Sequence, residues 1–384
     1  MKNVYDVVII GGGASGLFCL ANISGSKKIA IIDSNAKLGK KILATGNGRC
    51  NLTNINMSSE FFNQNIDSFL GKFNQQDTIN YFSSIGLETY HDEEGRVYPI
   101  TNLAKSVVDI LNNACLEKNV DVFTNKKFVS LIKEKEAFLI STDKQSLYAK
   151  NVVVAMGGNS SENICKTFDL PYEKCFPSLV SLKTSRKNHL RNIRLSNVKV
   201  TLKTEDKGYT QSGEILFREE GVSGICIFNL SSHLARQKRF CGELVVDLLP
   251  NFDIQKLVLN LKKRQTLFKD MNTFFDGLLD RNVGYEVLLQ SGVTKNKKPA
   301  LLSIVEIKDI AKVIKNLTFE IKGNLGNNQV VSGGVKLQAL TQNLESKKIK
   351  NLYFIGETCD VDGECGGYNL QWAWTSGKIV GERL

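Results

Sequence analysis

The first 33 residues constrain the fold of this chain more than any other stretch. Residues 4–10 (VYDVVII) form an apolar, β-branched run that is short enough for a buried strand. A glycine-rich hexapeptide, residues 11–16 (GGGASG), follows at once, and residues 17–23 are typical of a helix. Residues 28–32 (KIAII) predict a second strand, which ends in Asp33. The order is therefore strand, glycine turn, helix, strand and acid.

The spacing of these glycines and this acid predicts a dinucleotide site. Gly11 suits the tight turn, Gly13 lets the backbone approach a pyrophosphate, and Gly16 lets the helix pack on the strand. The helix N terminus offers unpaired N–H groups and the positive end of its dipole to phosphates. Asp33 lies about 20 residues past the central glycine, where an acid that holds a ribose hydroxyl is expected. A glycine turn with a purely structural role is the alternative, and the acid at this spacing argues against it.

The bulk composition indicates a large, reduced, soluble protein. With 384 residues, 42% of them hydrophobic, the chain is long enough for two or three domains. Its nine cysteines contain no CxxC pair, and its three histidines lie far apart, so the sequence predicts no disulfide framework and no metal site. No apolar run approaches the ~18 residues of a membrane span. We therefore expect a cytoplasmic protein with no membrane segment.

The positive charge of the chain is concentrated in its middle. The net charge is +11, and residues 176–330 contain 25 Lys and Arg against 15 Asp and Glu, a net +10. A one-sided basic surface is typical of a protein that binds a polyanion. A solvated, lysine-rich surface without a partner explains the charge equally well, and the sequence leaves both alternatives open.

A polar, glycine-rich loop follows Asp33. Residues 34–54 have little apolar periodicity and include the run TGNGRCNLTN at 45–54. Small and polar residues at this density cannot form a core, whereas their backbone N–H groups and Arg49 can surround an anionic or heteroaromatic ligand. We therefore expect this loop to contact the cofactor.

The middle of the chain gives coarser signals. Residues 77–85 and 273–279 predict helices, and residues 91–100 (HDEEGRVYPI) predict a hairpin tip or a loop between short strands. Residues 151–158 (NVVVAMGG) form a buried strand that runs into glycines, as a second chain crossing near a cofactor would. Residues 176–250 are rich in strand signals and in basic residues.

The C-terminal block is the second informative stretch. Residues 351–355 (NLYFI) predict a strand that ends in Gly356 and Glu357. A glycine-rich loop then leads to a helix predicted over residues 372–380. This arrangement places a carboxylate near a ribityl or ribose hydroxyl, and it points a helix dipole at the ligand, where it can stabilise negative charge on a reduced flavin ring.

Three blocks together resemble the glutathione-reductase type of FAD fold: GGGASG with Asp33, VVVAMGG, and YFIGETCD with GGYNLQWAWTSG. More narrowly, TGNGRCNLTN, VSGGV and GETCDVDGECGGYNLQWAWTSG resemble the bacterial flavoproteins described as aminoacetone-oxidase-like or BaiN-like oxidoreductases. The middle of the chain matches more loosely, chiefly through GEILFREEGVSG. The resemblance covers nearly the whole chain.

The resemblance implies an α/β fold in which a glutathione-reductase-type FAD-binding Rossmann domain is interrupted by a β-barrel-like and helical insertion. We assign residues 1–175 and 331–384 to the FAD-binding domain, 176–251 and 317–330 to a β-rich inserted domain, and 252–316 to a helical subdomain. The cofactor-binding residues expected on this basis are Gly11, Gly13, Ala14, Ser15, Gly16, Asp33, Ser34, Lys40, Thr45, Gly46, Gly48, Arg49, Cys50, Asn51, Ala155, Met156, Gly157, Gly356, Glu357, Gly367, Tyr368, Asn369 and Leu370.

The family resemblance implies flavin redox chemistry, with a substrate that differs between relatives. Aminoacetone oxidation, enone reduction of bile acids and dihydrouridine formation in large-subunit ribosomal RNA have all been attached to such proteins. The last suits this chain best, because its middle is basic and lysine contacts to phosphate supply most sequence-independent RNA affinity. A proton donor is then needed beside the flavin, and Cys365, Cys50 and Tyr368 are the candidates. For each cysteine, a small buried residue that fills space is the alternative.

The electron donor and two other function classes remain open. No second GxGxxG follows a strand, so we expect any NAD(P)H to bind transiently or not at all. A small-molecule oxidoreductase that acts on an enone or an amine is one alternative, and a flavin-bearing RNA-binding factor without turnover is another. If ribosomal RNA is the partner, binding should depend steeply on salt. Neutralising Lys183, Arg186, Arg191 and Arg194 together should weaken it.

Overall fold

The computed structural model describes residues 4–116, 118–158, 161–186, 189–326 and 330–384. The chain divides into two compact units. Unit 1 comprises Met1–Phe176 and Gln329–Leu384, and unit 2 comprises Pro177–Asn328. Unit 2 therefore has the same net charge of +10 as residues 176–330, because the few residues that separate its limits from 176–330 carry no charge.

Unit 1 is an α/β unit built on a sheet of mixed parallel and antiparallel strands. Its strands are β1 (Val4–Ile10), β2 (Ile29–Ile32), β3 (Thr53–Asn54), β4 (Thr89–His91), β5 (Arg96–Pro99), β6 (Val120–Phe123), β7 (Phe128–Glu134), β8 (Ala137–Thr142), β9 (Ser146–Val154), β10 (Tyr172–Ser178), which runs past the unit limit, β17 (Val330–Val335) and β18 (Leu352–Phe354). Its helices are α1 (Ala14–Asn22), α2 (Asp67–Leu70), α3 (Gln75–Ser84), α4 (Ala104–Cys115), α5 (Glu162–Phe168) and α10 (Tyr368–Arg383). Short 3-10 helices span Ile42–Gly48, Ser59–Phe61, Leu337–Ala339 and Gly356–Thr358.

The main sheet has the strand order β6-β2-β1-β9-β8-β7, and β18 joins it by pairing with β9. Strand β1 pairs in parallel with β2 and with β9, and β18 pairs in parallel with β9. Strand β8 pairs with the first half of β9 in antiparallel fashion. Parallel pairing buries both faces, which explains why Val7–Ile10 of β1, all of β2 and Val152–Val154 of β9 are continuous apolar runs. It also brings the carboxyl ends of β1, β2, β9 and β18 to one edge.

Helices α1 and α10 pack closely in unit 1. A Cβ added at Gly377 would lie 2.8 Å from the carbonyl oxygen of Ser15, and one added at Gly381 would lie 2.7 Å from that of Cys19. Two glycines one turn apart on α10 therefore let the two backbones touch. The Phe18 ring of α1 lies 5.2 Å from the Trp374 ring of α10 and completes this contact.

Unit 2 is a closed six-stranded barrel with helices. The strands β11 (Leu182–Thr184), β12 (Arg194–Lys203), β13 (Gly208–Arg218), β14 (Gly221–Ser223), β15 (Gly242–Asp247) and β16 (Leu317–Asn324) close in the order β11-β14-β13-β12-β15-β16. The helices are α6 (Ile225–Arg236), α7 (Ile254–Leu267), α8 (Arg281–Ser291) and α9 (Ile304–Lys315), with a 3-10 helix at Pro299–Leu301. One buried cluster contains both barrel residues such as Val200 and helical residues such as Leu261, so barrel and helices share a core.

The predicted fold class and the hairpin predicted at residues 91–100 are confirmed, and the helix predicted at residues 273–279 is wrong. Residues 91–100 contain the last residue of β4, a turn and the whole of β5, so the turn is the tip of the β4–β5 hairpin, and β5 also pairs with β3. Residues 273–279 form turns instead of a helix. The side chain of Arg264 donates to the carbonyl oxygens of Phe274 and Asp276, and these bonds occupy acceptors that a helix would need.

The described residues contain neither a membrane-spanning helix nor a cluster of metal ligands. No helix there has both the length and the apolarity to cross a bilayer. No group of three or more His, Cys, Asp or Glu side chains there is arranged to hold a metal ion.

Candidate active site

The ends of four parallel strands meet at one edge of the unit 1 sheet. The N–H of Ala155, just after β9, donates to Ile10 O at 2.8 Å, and the N–H of Gly11 donates to Ile32 O at 2.8 Å. The N–H of Ile355, just after β18, donates to Val154 O at 3.1 Å. The glycine turn, Asp33, the 155–157 segment and Gly356 therefore converge, at the edge where α/β sheets bind ligands.

The glycine turn has the geometry that the sequence predicts. Gly11 has φ +110°, and a Cβ there would lie 2.3 Å from the carbonyl oxygen of Ala155. A Cβ at Gly16 would lie 1.9 Å from the carbonyl oxygen of Gly11. A Cβ at Gly13 would meet no atom within 4 Å. Two glycines are thus required by the protein itself, and the third opens onto space at the N terminus of α1.

Asp33 is fixed against this turn. Its Oδ2 accepts from the N–H of Gly12 at 2.8 Å, and its Oδ1 accepts from the N–H of Asn35 at 2.7 Å. Oδ1 also accepts from the side-chain amide of Asn35 at 2.9 Å, so Oδ2, which accepts a single bond from the described residues, is the oxygen that can still accept from a ribose hydroxyl. Lys40 donates to the amide oxygen of Asn35 at 3.1 Å, and Ser34 beside Asp33 is exposed.

Helix α10 begins four residues earlier than the predicted start at residue 372. Gly367 is its N-cap with φ +102°, and a Cβ there would lie 2.4 Å from Thr53 O. Only glycine combines that backbone angle with that contact. The first-turn N–H groups, those of Tyr368, Asn369 and Leu370, have no acceptor inside the helix. They form a second set of donors that suits an anionic or electron-rich ligand.

The same helix holds Gly356 in place. The N–H of Gly356 donates to Ser376 Oγ at 2.9 Å, and Gly356 O accepts from the indole N–H of Trp372 at 3.0 Å. A Cβ at Gly356 would lie 2.5 Å from Ser15 Oγ. Ser15 is therefore a buried neighbour of the β18 end, which links the two cofactor-binding blocks of the sequence.

Glu357 makes an ion pair that the sequence does not predict. Its Oε2 lies 2.6 Å from Lys41 Nζ, and its Oε1 accepts from the N–H of Val331 at 3.2 Å. The same carboxylate is close to Gly157, where a Cβ would lie 3.4 Å from Oε2. Lys41, and not only the predicted Lys40, therefore belongs to the site. Lys40 and Lys41 are adjacent in the sequence, and nothing in the sequence shows which of them contacts Glu357.

The 45–54 loop is held by its own backbone and by β5. Gly46 and Asn47 have positive φ, and a Cβ at Gly46 would lie 2.7 Å from the backbone N of Asn51. The Arg49 guanidinium lies 4.4 Å from the centre of the Tyr98 ring, in cation–π geometry. Tyr98 is a site residue that the sequence reasoning missed, because its segment carries no signal beyond a short strand.

Several other predicted residues have backbone or core roles. With its amide oriented so that both ends find partners, Asn51 donates to Thr53 O at 2.9 Å and accepts from the N–H of Gly367 at 3.1 Å. The Asn369 amide bonds to the backbone of Gly363 at both of its ends, at 2.8 and 2.9 Å, so it shapes the loop before α10. Leu370 packs against the Phe18 and Trp374 core. Of the remaining predicted residues, Ala14 begins α1 and Met156 follows Ala155, whereas Thr45 and Gly48 lie in the 3-10 helix Ile42–Gly48.

The three proton-donor candidates occupy different environments. Cys50 is fully buried in an apolar cluster, and burial raises its pKa to about 12. Tyr368 is buried, its ring stacks on Phe61 at 4.5 Å, and burial raises its pKa to about 12. Cys365 is half-buried, and burial raises its pKa against the opposing effect of Arg96. Of the three, only Cys365 combines a titratable group with partial access.

The residues at this edge fit FAD. The open N–H groups at Gly13 suit a diphosphate, and Asp33 suits a ribose. The carboxylate of Glu357 and the N terminus of α10 suit the ribityl chain and the flavin end. When bound, FAD supplies two-electron redox chemistry, and the protein supplies its binding and orientation.

The chain matches the family described as the HI0933-like protein Rossmann domain over residues 5–383. It is 30% identical to the 3-dehydro-bile acid delta(4,6)-reductase of Clostridium scindens, over 97% of each chain. It is 28% identical to the ribosomal RNA dihydrouridine synthase of Haemophilus influenzae, over 98% of this chain and 97% of that one. It is 29% identical to the protein of the same description from Escherichia coli K12, over 99% and 98%.

A solved structure also shares the fold. The 3-ketosteroid delta1-dehydrogenase from Sterolibacterium denitrificans superposes with a TM-score of 0.53 at 13% identity, covering 100% of this chain and 99% of that one. The family resemblance drawn from the sequence blocks is confirmed by the match over residues 5–383. The chain therefore belongs to the HI0933-like family of Rossmann-fold proteins, and it is an FAD-dependent oxidoreductase.

Proposed function

We propose that this protein reduces the C5=C6 bond of a uridine in large-subunit ribosomal RNA to dihydrouridine. The observation that carries the proposal is the charge of unit 2, which has 25 basic and 15 acidic residues. A small neutral or anionic metabolite does not require such a unit, whereas RNA affinity depends on basic contacts to phosphate. The two relatives described as ribosomal RNA dihydrouridine synthases support the same choice.

The reaction adds a hydride at C6 of uracil and a proton at C5. Conjugation of the double bond with the C4 carbonyl makes C6 the electrophilic position. The base has to leave its stack before any group of the protein can reach it. Because the chain has a single GxGxxG motif after a strand, any nicotinamide donor would bind transiently or not at all. The task of this chain at C5 is to deliver the proton.

Cys365 is the residue that we assign to this proton transfer. Its thiol is half-buried on the loop that leads to α10, next to the glycine N-cap of that helix. Burial raises the pKa of the thiol, so the S–H form persists at neutral pH and can act as a general acid. Cys50 and Tyr368 are enclosed by core side chains, and we assign them structural roles.

Reduction of a small conjugated enone is the second candidate. The observation that favours it is the 30% identity to a bile acid reductase over nearly the whole chain. The bond type is the same, a C=C conjugated to a carbonyl, so the same flavin edge serves both substrates. The candidates differ in whether activity requires RNA.

Nucleoside mass spectrometry of ribosomal RNA tests the proposal. We compare a strain that lacks this protein with its parent and with the deletion strain complemented by the intact gene. The expected result is loss of dihydrouridine in the deletion and its return on complementation. Unchanged dihydrouridine in the deletion strain would refute the proposal, and bile-acid-type enones would then be the substrates to assay.

A further inference from the structure

Two groups of basic residues in unit 2 differ in their partners, and the helical part also contains paired residues such as Arg281 with Asp276 and Lys297 with Glu306. On the barrel and its loops, six basic side chains face carboxylates. These ion pairs are Lys183–Glu220 (3.5 Å), Arg191–Glu219 (3.4 Å), Arg194–Glu214 (3.3 Å), Lys203–Glu243 (3.2 Å) and Arg239–Glu205 (2.6 Å), together with Arg186–Glu286. The four residues that the sequence offered as RNA contacts all belong to this group, so their charge is locally compensated.

The second group lies on the helical part of unit 2. Lys262 and Lys263 on α7, and Lys298 just before the 3-10 helix Pro299–Leu301, are all exposed. Within the described part of the chain, none of these three amines has a carboxylate within 4 Å. Their positive charge is therefore uncompensated by the protein.

Hydrogen bonds hold the segment that follows Lys298 against α7. The side-chain amide of Gln265 on α7 donates to Pro299 O at 3.1 Å and to Leu302 O at 2.9 Å. Gln265 is within one turn of Lys262 and Lys263, and Pro299 directly follows Lys298. We call the three residues Lys262, Lys263 and Lys298 the α7 lysine face.

The same two elements, α7 and the 3-10 helix, expose large apolar side chains. Leu259 on α7 and Leu301 on the 3-10 helix are each 66% exposed. The inward side of α7 is occupied by Leu257 and Leu261, which are fully buried, so the exposed leucine is not part of the core contact. Exposed apolar surface beside uncompensated charge suits a ligand with charged phosphates and apolar sugar and base faces.

We propose that the α7 lysine face is the surface that binds the phosphate backbone of the RNA. This proposal rests on the function proposed above, and it locates the partner's contact within unit 2. A lysine without a carboxylate partner releases counterions from RNA without first giving up an ion pair, so it contributes fully to binding. The compensated barrel residues contribute less to binding.

The test compares two triple variants that remove the same charge. Lys262→Gln/Lys263→Gln/Lys298→Gln changes the α7 lysine face, and Lys183→Gln/Arg191→Gln/Arg194→Gln is the matched control on the barrel. Binding of a single-stranded oligouridylate is measured against salt concentration for the FAD-loaded proteins. We expect the first variant to lose about tenfold or more in affinity near 0.1 M salt, with the salt slope reduced by about 0.7 per lysine. The control should change by less than about threefold.

Complementation separates failure of this proposal from failure of the proposed function. If wild-type protein restores dihydrouridine to ribosomal RNA and the α7 variant binds and restores equally well, the surface assignment is wrong and the function stands. Equal loss of RNA affinity in both triple variants also overturns the assignment, because RNA binding would then depend on the net charge of unit 2 and not on one surface. If wild-type protein restores nothing, both proposals fail. Loss of binding to anionic phospholipid vesicles in the α7 variant, without RNA binding by wild type, would identify a lipid surface instead.

Discussion

The cofactor edge of unit 1 and the basic surface of unit 2 use different parts of the chain. In unit 1 the groups that face the ligand are mainly backbone N–H groups, and glycines such as Gly11 and Gly367 place them through positive φ. In unit 2 the groups are side-chain charges whose effect depends on which carboxylate lies opposite. The cofactor edge is therefore fixed by local geometry, whereas the basic surface is fixed by tertiary pairing. The two should respond differently to single substitutions.

The largest effect is expected for a single added carboxylate at the glycine turn. Gly13→Asp leaves the fold intact, because a Cβ there meets no atom and Asp is a favourable N-cap residue. Its charge repels the diphosphate, so we expect loss of bound flavin and about 100-fold or weaker FAD affinity by fluorescence quenching. Ser26→Asp, in an exposed loop, is the control and should keep its flavin. RNA affinity unchanged within about threefold would show that the two units can be disabled separately.

The next largest effect is expected for the proposed proton donor. Cys365→Ser should lower dihydrouridine formation by about 100-fold while FAD content stays normal, since general acids contribute about 10²- to 10⁴-fold. Cys50→Ser should keep its activity and lower the melting temperature, because a hydroxyl replaces a thiol in an apolar cluster at a cost of about 1–3 kcal/mol. The reverse pattern would exchange the roles assigned to the two cysteines.

A smaller effect is expected for the ion pair at the β18 end. Lys41→Met removes the partner of Glu357 and leaves that carboxylate uncompensated beside the dinucleotide edge. We expect FAD to bind about five- to tenfold more weakly, a modest change because Lys41 is more than half exposed. Lys40→Met, which removes only a contact to Asn35, should change FAD affinity less. Equal effects would show that only overall charge matters at this edge.

The smallest effect concerns pH. Burial raises the pKa of Cys50 to about 12, whereas an unfolded cysteine titrates near 8.5. The folded state therefore favours the thiol, and the stability from this group is complete below about pH 8.5 and declines as pH rises toward 12. The urea midpoint of Cys50→Ala should fall less steeply between pH 8 and pH 10 than that of wild type. Parallel curves would contradict the burial of this thiol.

The same contrast explains what the sequence could and could not predict. Gly11, Asp33 and Gly356 each directly follow a predicted strand, so local spacing is enough to identify them. The Lys41–Glu357 and Arg194–Glu214 pairs join residues that are far apart in the chain or on facing strands, and nothing in either segment signals its partner. The start of α10 was placed too late because its N-cap is a glycine held by Thr53, a contact that only the fold creates.

The contact between α1 and α10 has a consequence for ligand choice. Gly377 and Gly381 lock the two helix backbones together, and the N terminus of each helix faces the same strand edge. Packing in the core therefore fixes the distance between those two N termini. A ligand that engages both ends has to carry an anionic group near one and an electron-rich ring near the other. A larger residue at either glycine would push the two helix backbones apart and change the separation of their N termini.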